Sequence, residues 1–337
     1  MTQVGWAGHI MRMDESKILK NDMIEQDELA EESPTGGKSS HWSNHRKLIT
    51  PAFHFKILEK FIPTFNANID IYLRKLDEKA EKGSFNIENY IAYLALDIIA
   101  EGKERVALLD LLLETQRRSS EFTDKDILDE VNTFMFGGHD TITSCINFTF
   151  YFLAKNPGIQ EEVLREVQSV VGEENFTLSN LQQLKYLERV IKESLRILPV
   201  APFIQRAAKK DIKLRSGYIL PAGSTIIMMI YALHQNPQYY PNPQQFDPDR
   251  FLPENCVKRN SYAYIPFSAG HRNCIGQKFA LLEIKAVIAA TVRRYKLLPS
   301  EDIKPVVHII LRSANGINLI LERRNSSPIS DHQELQT

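Results

Sequence analysis

Cysteine is scarce in this sequence: three residues, Cys145, Cys256 and Cys274, occur among 337. They are odd in number and never spaced C-x-x-C, so neither a disulfide framework nor a zinc ribbon is suggested, and a reducing compartment fits best. An excess of one charge is also missing. Lys and Arg number 41 against 42 Asp and Glu, a net charge of −1, so nucleic-acid binding has no global electrostatic support. Long hydrophobic runs are absent. The opening MTQVGWAGHIMRMDESKILK is not continuously apolar, and the most apolar stretch, around Ile142–Ala154, is broken by Thr, Ser and Asn and is too short to span a bilayer. Neither a signal peptide nor a membrane anchor is therefore expected. There is no G-x-G-x-x-G or other nucleotide motif, and no internal repeat.

What is present has the composition of a soluble globular protein, with 43% hydrophobic and 25% charged residues. Residues 1–40 are polar and acidic in the middle (EQDELAEESPTGG) and are expected to be poorly ordered, as is the polar tail 325–337. Between them, residues 41–324 read as the folded part. Phe55, Leu58, Phe61, Phe65, Ile69 and Leu73 recur at helical spacing, and Gly83 follows as a stop. Phe85 to Ala100 reads as a buried helix, and Ala107–Glu114 as another. Thr123 and Asp126 form a capping-box variant that opens a long apolar helix to about Lys155. Asn156-Pro157 starts the next helix, which Gly172 stops, and Leu184–Leu198 ends before Pro199. Short strands are expected at Ile212–Leu214, Tyr218–Leu220 and Thr225–Ile230. A proline-studded meander over Gln235–Asn255 precedes a strong helix, Gln277–Tyr295. Val306–Leu311 and Ile317–Leu321 flank R-S-A-N-G, a hairpin signal. The expected fold class is mainly α with a minor β region (α+β).

Four clusters carry chemistry. Phe267, Gly270, Arg272, Cys274 and Gly276 form F-x-x-G-x-R-x-C-x-G, a coincidence on the order of one in ten thousand at average composition. The glycines permit a tight fold and close approach to a flat cofactor. Cys274 sits just before a helix N-terminus, where free N–H groups and the dipole favour a thiolate. Arg272 can pair with an acidic edge group, and Phe267 offers a ring to pack beneath the sulfur. An isolated cysteine is most often a small buried hydrophobe, but this pattern reverses those odds. Glu193 and Arg196, three residues apart on one helix face, are either a solvated pair or, given VIKESLRILP around them, a buried network joined by Arg250. Gly137 and Gly138 lie inside the long helix at a cost of about 1 kcal/mol each against Ala. They serve either a packing notch or the close approach of a ligand. His41 and His45 have zinc spacing, but no Glu base lies between them and no third ligand is evident. His139 and Asp140, adjacent, are expected on different faces.

The cysteine loop resembles the haem-binding loop of the cytochrome P450 superfamily, the haem-thiolate monooxygenases. RKLITPAFHFKIL, DEVNTFMFGGHDT and FSAGHRNCIGQKFA look like family 4, especially its insect branch. The resemblance covers roughly Trp42–Arg323 and implies a cytochrome P450 fold, incomplete, with haem as cofactor and Cys274 as iron ligand. It implies propionate-binding roles for Trp42, Arg46 and Arg206, with His234 a weaker candidate whose alternative is a buried histidine. It implies a structural triad of Glu193, Arg196 and Arg250. Gly137-Gly138-His-Asp-Thr141 matches the family's oxygen groove, which implies that Thr141 hydrogen-bonds dioxygen and Asp140 feeds protons. The implied reaction places one oxygen atom in a small hydrophobic substrate, a fatty acid or a lipid-like or foreign compound. Electrons would come from NADPH through a flavoprotein reductase docking near Arg272 and Lys278. Relatives sit on the endoplasmic reticulum.

The chain also departs from the pattern. Gly137 stands where this group often has a Glu that esterifies haem, so no covalent link is expected, and Ile142 stands where Thr or Ser is usual. LDIIAEG runs straight into KERVALLDLLLE, so lid helices are missing at a junction near Gly102. Phe134 and Phe136 should then be unusually exposed. What remains to line a pocket is Val200–Ile204, the groove near Gly137, and Arg312–Gly316. Two further readings stay open: a truncated variant that binds haem without turnover, and a helical binding protein without cofactor.

Overall fold

The computed structural model describes residues 29–30, 39–53, 55–101, 112–114, 116–117, 123–214 and 216–324. Ten helices are assigned among them: α1 (Ser39–Ile49), α2 (Phe55–Asp77), α3 (Glu88–Glu101), α4 (Asp124–Lys155), α5 (Pro157–Val170), α6 (Leu178–Gln183), α7 (Lys185–Ile197), α8 (Ile230–His234), α9 (Pro253–Val257) and α10 (Gln277–Arg294). The strands are short: β1 (Leu29–Ala30), β2 (Phe85–Asn86), β3 (Ile204–Ala208), β4 (Ile212–Lys213), β5 (Ile219–Leu220), β6 (Thr225–Met228), β7 (Tyr295–Pro299), β8 (Pro305–Val307), β9 (Leu311–Ser313) and β10 (Asn318–Arg323). They form antiparallel sheets in the orders β1-β3-β6, β2-β10-β7, β4-β5 and β8-β9. The mainly α class with a small β component is as expected.

The core is a helical bundle. Helix α10 lies at its centre, packed against α2, α4, α5 and α7, and Ala286 to Ala290 are all buried. Phe279 meets Phe61 and Phe65 edge-on at 5.2 and 5.4 Å, which fixes α10 on α2. Lys285 is buried in the same helix because its ammonium reaches Glu188 of α7 (2.9 Å) and the Leu181 carbonyl (3.1 Å). Burial raises the Glu188 carboxyl, but hydrogen bonds from Lys192 and Lys285 outweigh it and bring it down to about 2.

Helix α4 is two-faced along its length. The expected capping box forms: Thr123 Oγ1 accepts from Asp126 N (3.3 Å), and Asp126 Oδ2 accepts from Thr123 N (2.8 Å). Residues 142–150 are buried, whereas none of residues 123–141 is. Phe136 is 48% exposed, as the junction near Gly102 led one to expect, while Phe134 stacks on Phe53 at 5.5 Å. Among the described residues, no helix is long and apolar enough to cross a membrane.

Several elements differ from their sequence reading. Phe85 and Asn86 are a strand, not the start of a helix, because they pair with Leu319 and Asn318 of β10; Asn86 Oδ1 then caps α3 by accepting from Glu88 N (3.0 Å). Helix α6, capped by Thr177 and Asn180, and strand β3 were not anticipated. Asn156 makes no side-chain cap on α5; its amide donates back to the Phe152 carbonyl at 2.8 Å. The expected hairpin across R-S-A-N-G does not form. Strand β9 pairs with β8, while β10 leaves to join β7 and β2, steered by Gly316 at φ 70° and by Ile317 N donating to Asn86 Oδ1 (3.1 Å). Of the segment expected to be poorly ordered, residues 29–30 pair with β3 and 39–40 begin α1; residues 1–28 and 31–38 lie outside the described residues. So do residues 102–111, which hold most of the helix expected at Ala107–Glu114, and the tail 325–337.

These contacts separate three glycines. At Gly316 a Cβ would stand 2.2 Å from the Asn86 amide nitrogen, at a left-handed φ. The Gly316→Ala chain should lose about 2–3 kcal/mol, from backbone strain plus the Asn86 bonds it would break. A Cβ on Gly138 would stand 2.7 Å from Ile99 Cδ1, whereas one on Gly137 would meet nothing within 4 Å. Gly137→Ala should therefore stabilise the chain by about 0.5–1 kcal/mol and Gly138→Ala by distinctly less. Urea midpoints of the three variants check both statements.

Candidate active site

The cysteine loop is built by its own backbone. Ser268 N donates to Ile265 O (3.0 Å), Asn273 N to Gly270 O (3.1 Å), and Cys274 N to Phe267 O (2.9 Å). Ser268 and Gly270 take positive φ, 59° and 74°, and for a serine that conformation costs roughly 1–2 kcal/mol. Phe267 packs against the main core and anchors the loop from below. The result presents Cys274 at the entrance to α10. The cysteine is exposed, yet the protein around it is dense enough that burial is the largest influence on its thiol. Burial pushes the thiol up, and the N–H groups of Gly276 and Gln277 and the charge of Arg46 only partly offset this. The sequence reading expected a net preference for thiolate; desolvation outweighs it, and the thiol is held above its ordinary value. A bound cation would shift the balance back, because coordination removes the proton outright.

Guanidinium groups gather at this loop. Arg46 of α1 donates from Nη1 to Asn273 O (2.9 Å) and from Nη2 to Asn273 Oδ1 (3.0 Å). Burial lowers the Arg46 guanidinium below its ordinary value, Cys274 opposes the shift, and Arg272 adds to it. Arg206 of β3 donates to its neighbour's carbonyl, Gln205 O (2.8 Å), and reaches Ser268 Oγ at 3.4 Å. Gly276 faces the sulfur: a Cβ there would stand 3.9 Å from Cys274 Sγ. Trp42 lies on α1, and its side chain is outside the described residues.

Behind the loop stands a buried brace. Glu193 Oε2 accepts from Arg196 Nε (2.7 Å) and Oε1 from Arg196 Nη2 (2.9 Å), with both side chains fully buried. Arg250 Nε lies 3.3 Å from Glu193 Oε1, and Asp247 N donates to the same oxygen (2.9 Å). Burial pushes the Glu193 carboxyl up, against the pull of Arg196, the Asp247 N–H and Arg250. Arg196 also donates to the carbonyls of His234 (3.0 Å), Pro243 (2.7 Å) and Gln245 (3.3 Å). The solvated-pair alternative is thus excluded. His234 is likewise buried: its Nε2 accepts from Ile265 N (3.0 Å), its ring stacks on Tyr264, and burial brings it down to about 3. It is a neutral strut under the loop, not a ligand for an anionic group.

On α4 the expected oxygen-groove residues are engaged elsewhere. Thr141 Oγ1 donates to Gly137 O (2.6 Å). Asp140 Oδ2 accepts from Arg312 Nη2 of β9 (2.6 Å). His139 Nδ1 lies 3.1 Å from Asp140 Oδ1, so these neighbours do meet, contrary to the face argument. Gly138 is the notch that receives Ile99. His45 Nδ1 contacts Glu130 Oε1 at 2.7 Å, tying α1 to α4, and no group of three or more metal-binding side chains occurs among the described residues. Sequence reasoning missed the role of Asn273, and it placed Arg312 among the pocket-lining residues without its bond to Asp140. Neither stands in a motif that announces it, since their contacts span 227 and 172 residues.

The loop presents one exposed sulfur with arginines beside it, and among the described residues no group of three or more metal-binding side chains surrounds it. This is a helical protein with a thiol at a cationic loop, chemistry that suits a metal carried by an anionic cofactor. Comparison with known proteins agrees. The family model described as Cytochrome P450 matches residues 32–102 and 100–320. Cytochrome P450 4c3 of Drosophila melanogaster is 33% identical over 386 residues, covering 84% of this chain and 72% of that protein. Cytochrome P450 4c21 of Blattella germanica is 35% identical over 378, covering 84% and 75%. Cytochrome P450 4V2 of Homo sapiens is 33% identical over 388, covering 87% and 73%. The chain belongs to the cytochrome P450 family, whose members are haem monooxygenases.

Two measurements test the support beneath the site. Glu193→Ala leaves two guanidiniums facing each other without a countercharge and should cost about 3–5 kcal/mol in urea denaturation. His234 binds a proton less readily when folded than when unfolded. Its contribution is therefore complete above the ordinary value of 6.5 and is lost as pH falls from 6.5 towards 3. Stability should fall by up to about 1.4 kcal/mol per pH unit below that point, and the slope between pH 6.5 and 5 should flatten in His234→Gln.

Proposed function

We propose that this chain oxidises a small hydrophobic molecule, of fatty-acid, lipid-like or foreign character, at a haem held by Cys274. Electrons would come from NADPH through a separate flavoprotein reductase. The observation that carries this is the placement of the Cys274 sulfur: exposed, at the entrance to α10, with Arg46 and Arg272 within electrostatic range of each other. When bound, haem supplies the redox chemistry by which one atom of dioxygen enters the substrate and the other leaves as water. The Cys274 sulfur would hold the iron, steadied by the Gly276 and Gln277 N–H groups. Arg46, Arg206 and Arg272, with Trp42, hold the anionic edge; Phe267, Gly270 and Gly276 shape the loop; Gly138 sets the depth of α4. Glu193, Arg196 and Arg250 keep the meander in place and do no chemistry. Thr141 Oγ1 donates its proton to Gly137 O, and it can donate to a bound molecule only when that bond opens. Asp140 passes protons from solvent and is positioned by Arg312.

Residues 41–324 are read as one domain of this family with a shortened connection near Gly102. The alignments to relatives run to 378–388 positions, more than the 337 residues of this chain, and the two stretches matched by the family model meet at residues 100–102. That shortening, with the exposed Phe136, favours a second reading: haem binding with little turnover, because water reaches the site. Residence on the cytoplasmic face of the endoplasmic reticulum is proposed from the resemblance alone.

Haem-reconstituted protein, reduced under carbon monoxide, should show the thiolate-type Soret band, and Cys274→Ala should lose it. A band retained by the variant removes the assignment. With reductase and NADPH, substrate-dependent consumption matched by hydroxylated product supports turnover; consumption that yields only peroxide or water supports the second reading.

A further inference from the structure

Asn273 was singled out by no motif, yet both of its oxygens are taken by one guanidinium. Arg46 Nη1 donates to its carbonyl (2.9 Å) and Nη2 to its side chain (3.0 Å). The pairing is a fork, so it fixes the plane and rotation of the guanidinium as well as its position. Asn273 is itself held, its N–H donating to Gly270 O (3.1 Å), and it immediately precedes Cys274. Helix α1 is also tied to the body by the apolar cluster of Ile49 and Leu112, which takes in Ile127, Val131 and Phe134 of α4 and Ile275 of the loop, and by the His45–Glu130 pair, but none of these sets the orientation of Arg46. The fork is therefore a direct link between the helix that carries Arg46 and the loop that carries the cysteine. It consumes two of the five guanidinium N–H groups, and among the described residues no other acceptor claims the remaining three. A neutral amide is the suitable partner. An aspartate would draw on the positive charge that an incoming carboxylate needs, and an apolar residue would leave the arginine to swing on its flexible stem.

We infer that Asn273 is a positioning residue that aims Arg46 at a carboxylate of the bound cofactor. This rests on the proposed haem site. The readout is haem retention, measured as the rate of transfer from the reconstituted holoprotein to excess apomyoglobin, without reference to turnover. Arg46→Ala should speed haem loss strongly, and Asn273→Ala by about tenfold, the scale of one charge-assisted hydrogen bond. Asn273→Asp keeps the fork but draws on the Arg46 charge, so its haem loss should lie between wild type and Arg46→Ala. The double variant should lose haem no faster than Arg46→Ala, because Asn273 acts through that arginine. Effects that multiply in the double variant would overturn the inference, as would an Asn273→Ala rate equal to wild type beside a fast Arg46→Ala. If Arg46→Ala itself retains haem normally, the site reading fails and takes this inference with it. Should Asn273→Ala not accumulate as holoprotein, Asn273→Ser, which keeps a polar group too short for the fork, must show the same acceleration.

Discussion

A carboxylate taken out of water governs this structure. Glu193 is fully buried, and its charge is tolerable only because Arg196, Arg250 and the Asp247 N–H converge on it. The consequence reaches well beyond α7. Arg196, fixed by Glu193, supplies donors to the carbonyls of His234, Pro243 and Gln245, in a proline-rich stretch whose backbone makes few regular bonds of its own. His234, set by that contact, accepts from Ile265 N, and Ile265 O in turn receives Ser268 N at the start of the cysteine loop. The sulfur is thus aimed through a chain of buried polar groups that begins at one ion pair. Such a chain is exacting, since each member left alone would carry an unpaired polar atom in a low-dielectric interior.

How much of this could be read from residues depends on range. Helices α2, α4, α5, α7 and α10 were legible because their apolar spacing, caps and proline or glycine stops are local signals. The short strands were not. Whether Phe85 joins a helix or a sheet is decided by β10, more than two hundred residues later, and apolar periodicity carries no record of that partner. The hairpin at R-S-A-N-G failed for the same reason: a turn signal was present, but β7 and β2 competed successfully for β10. At the site, F-x-x-G-x-R-x-C-x-G and E-x-x-R located the loop and the brace because each is compact in sequence. The contacts of Asn273 and Arg312 were invisible because they depend on what arrives from α1 and α4, although Arg312 itself was placed beside the pocket. The preference of Cys274 for its protonated form was misjudged because helix-end electrostatics can be seen in sequence, whereas local crowding cannot.

The two sides of the site differ in how they are secured, and topology explains the difference. The cysteine loop is held mainly from α1, β3, α7, the meander and α10; among the described residues of the connection at 102–122, Leu112 also joins the apolar cluster that takes in Ile275. The face across from the sulfur depends on the first half of α4, where no residue is fully buried. On the proposed reading a shortened connection does not leave the loop unsupported, because its hydrogen bonds to Arg46 and Arg206 and within its own backbone lie elsewhere. Nor does the shortening strain the body. Ile99, near the end of α3, sits in the Gly138 notch, and the start of α4 lies 14 residues earlier, about 21 Å along the helix axis. The connection can span more than 60 Å when extended, roughly three times what is required. Because loop-closure entropy changes only slowly with length, a longer or shorter insertion there alters folding little. On the proposed reading, cofactor retention rests mainly on contacts outside the connection, with Leu112 an exception among the described residues, whereas turnover also depends on the cover over the first half of α4.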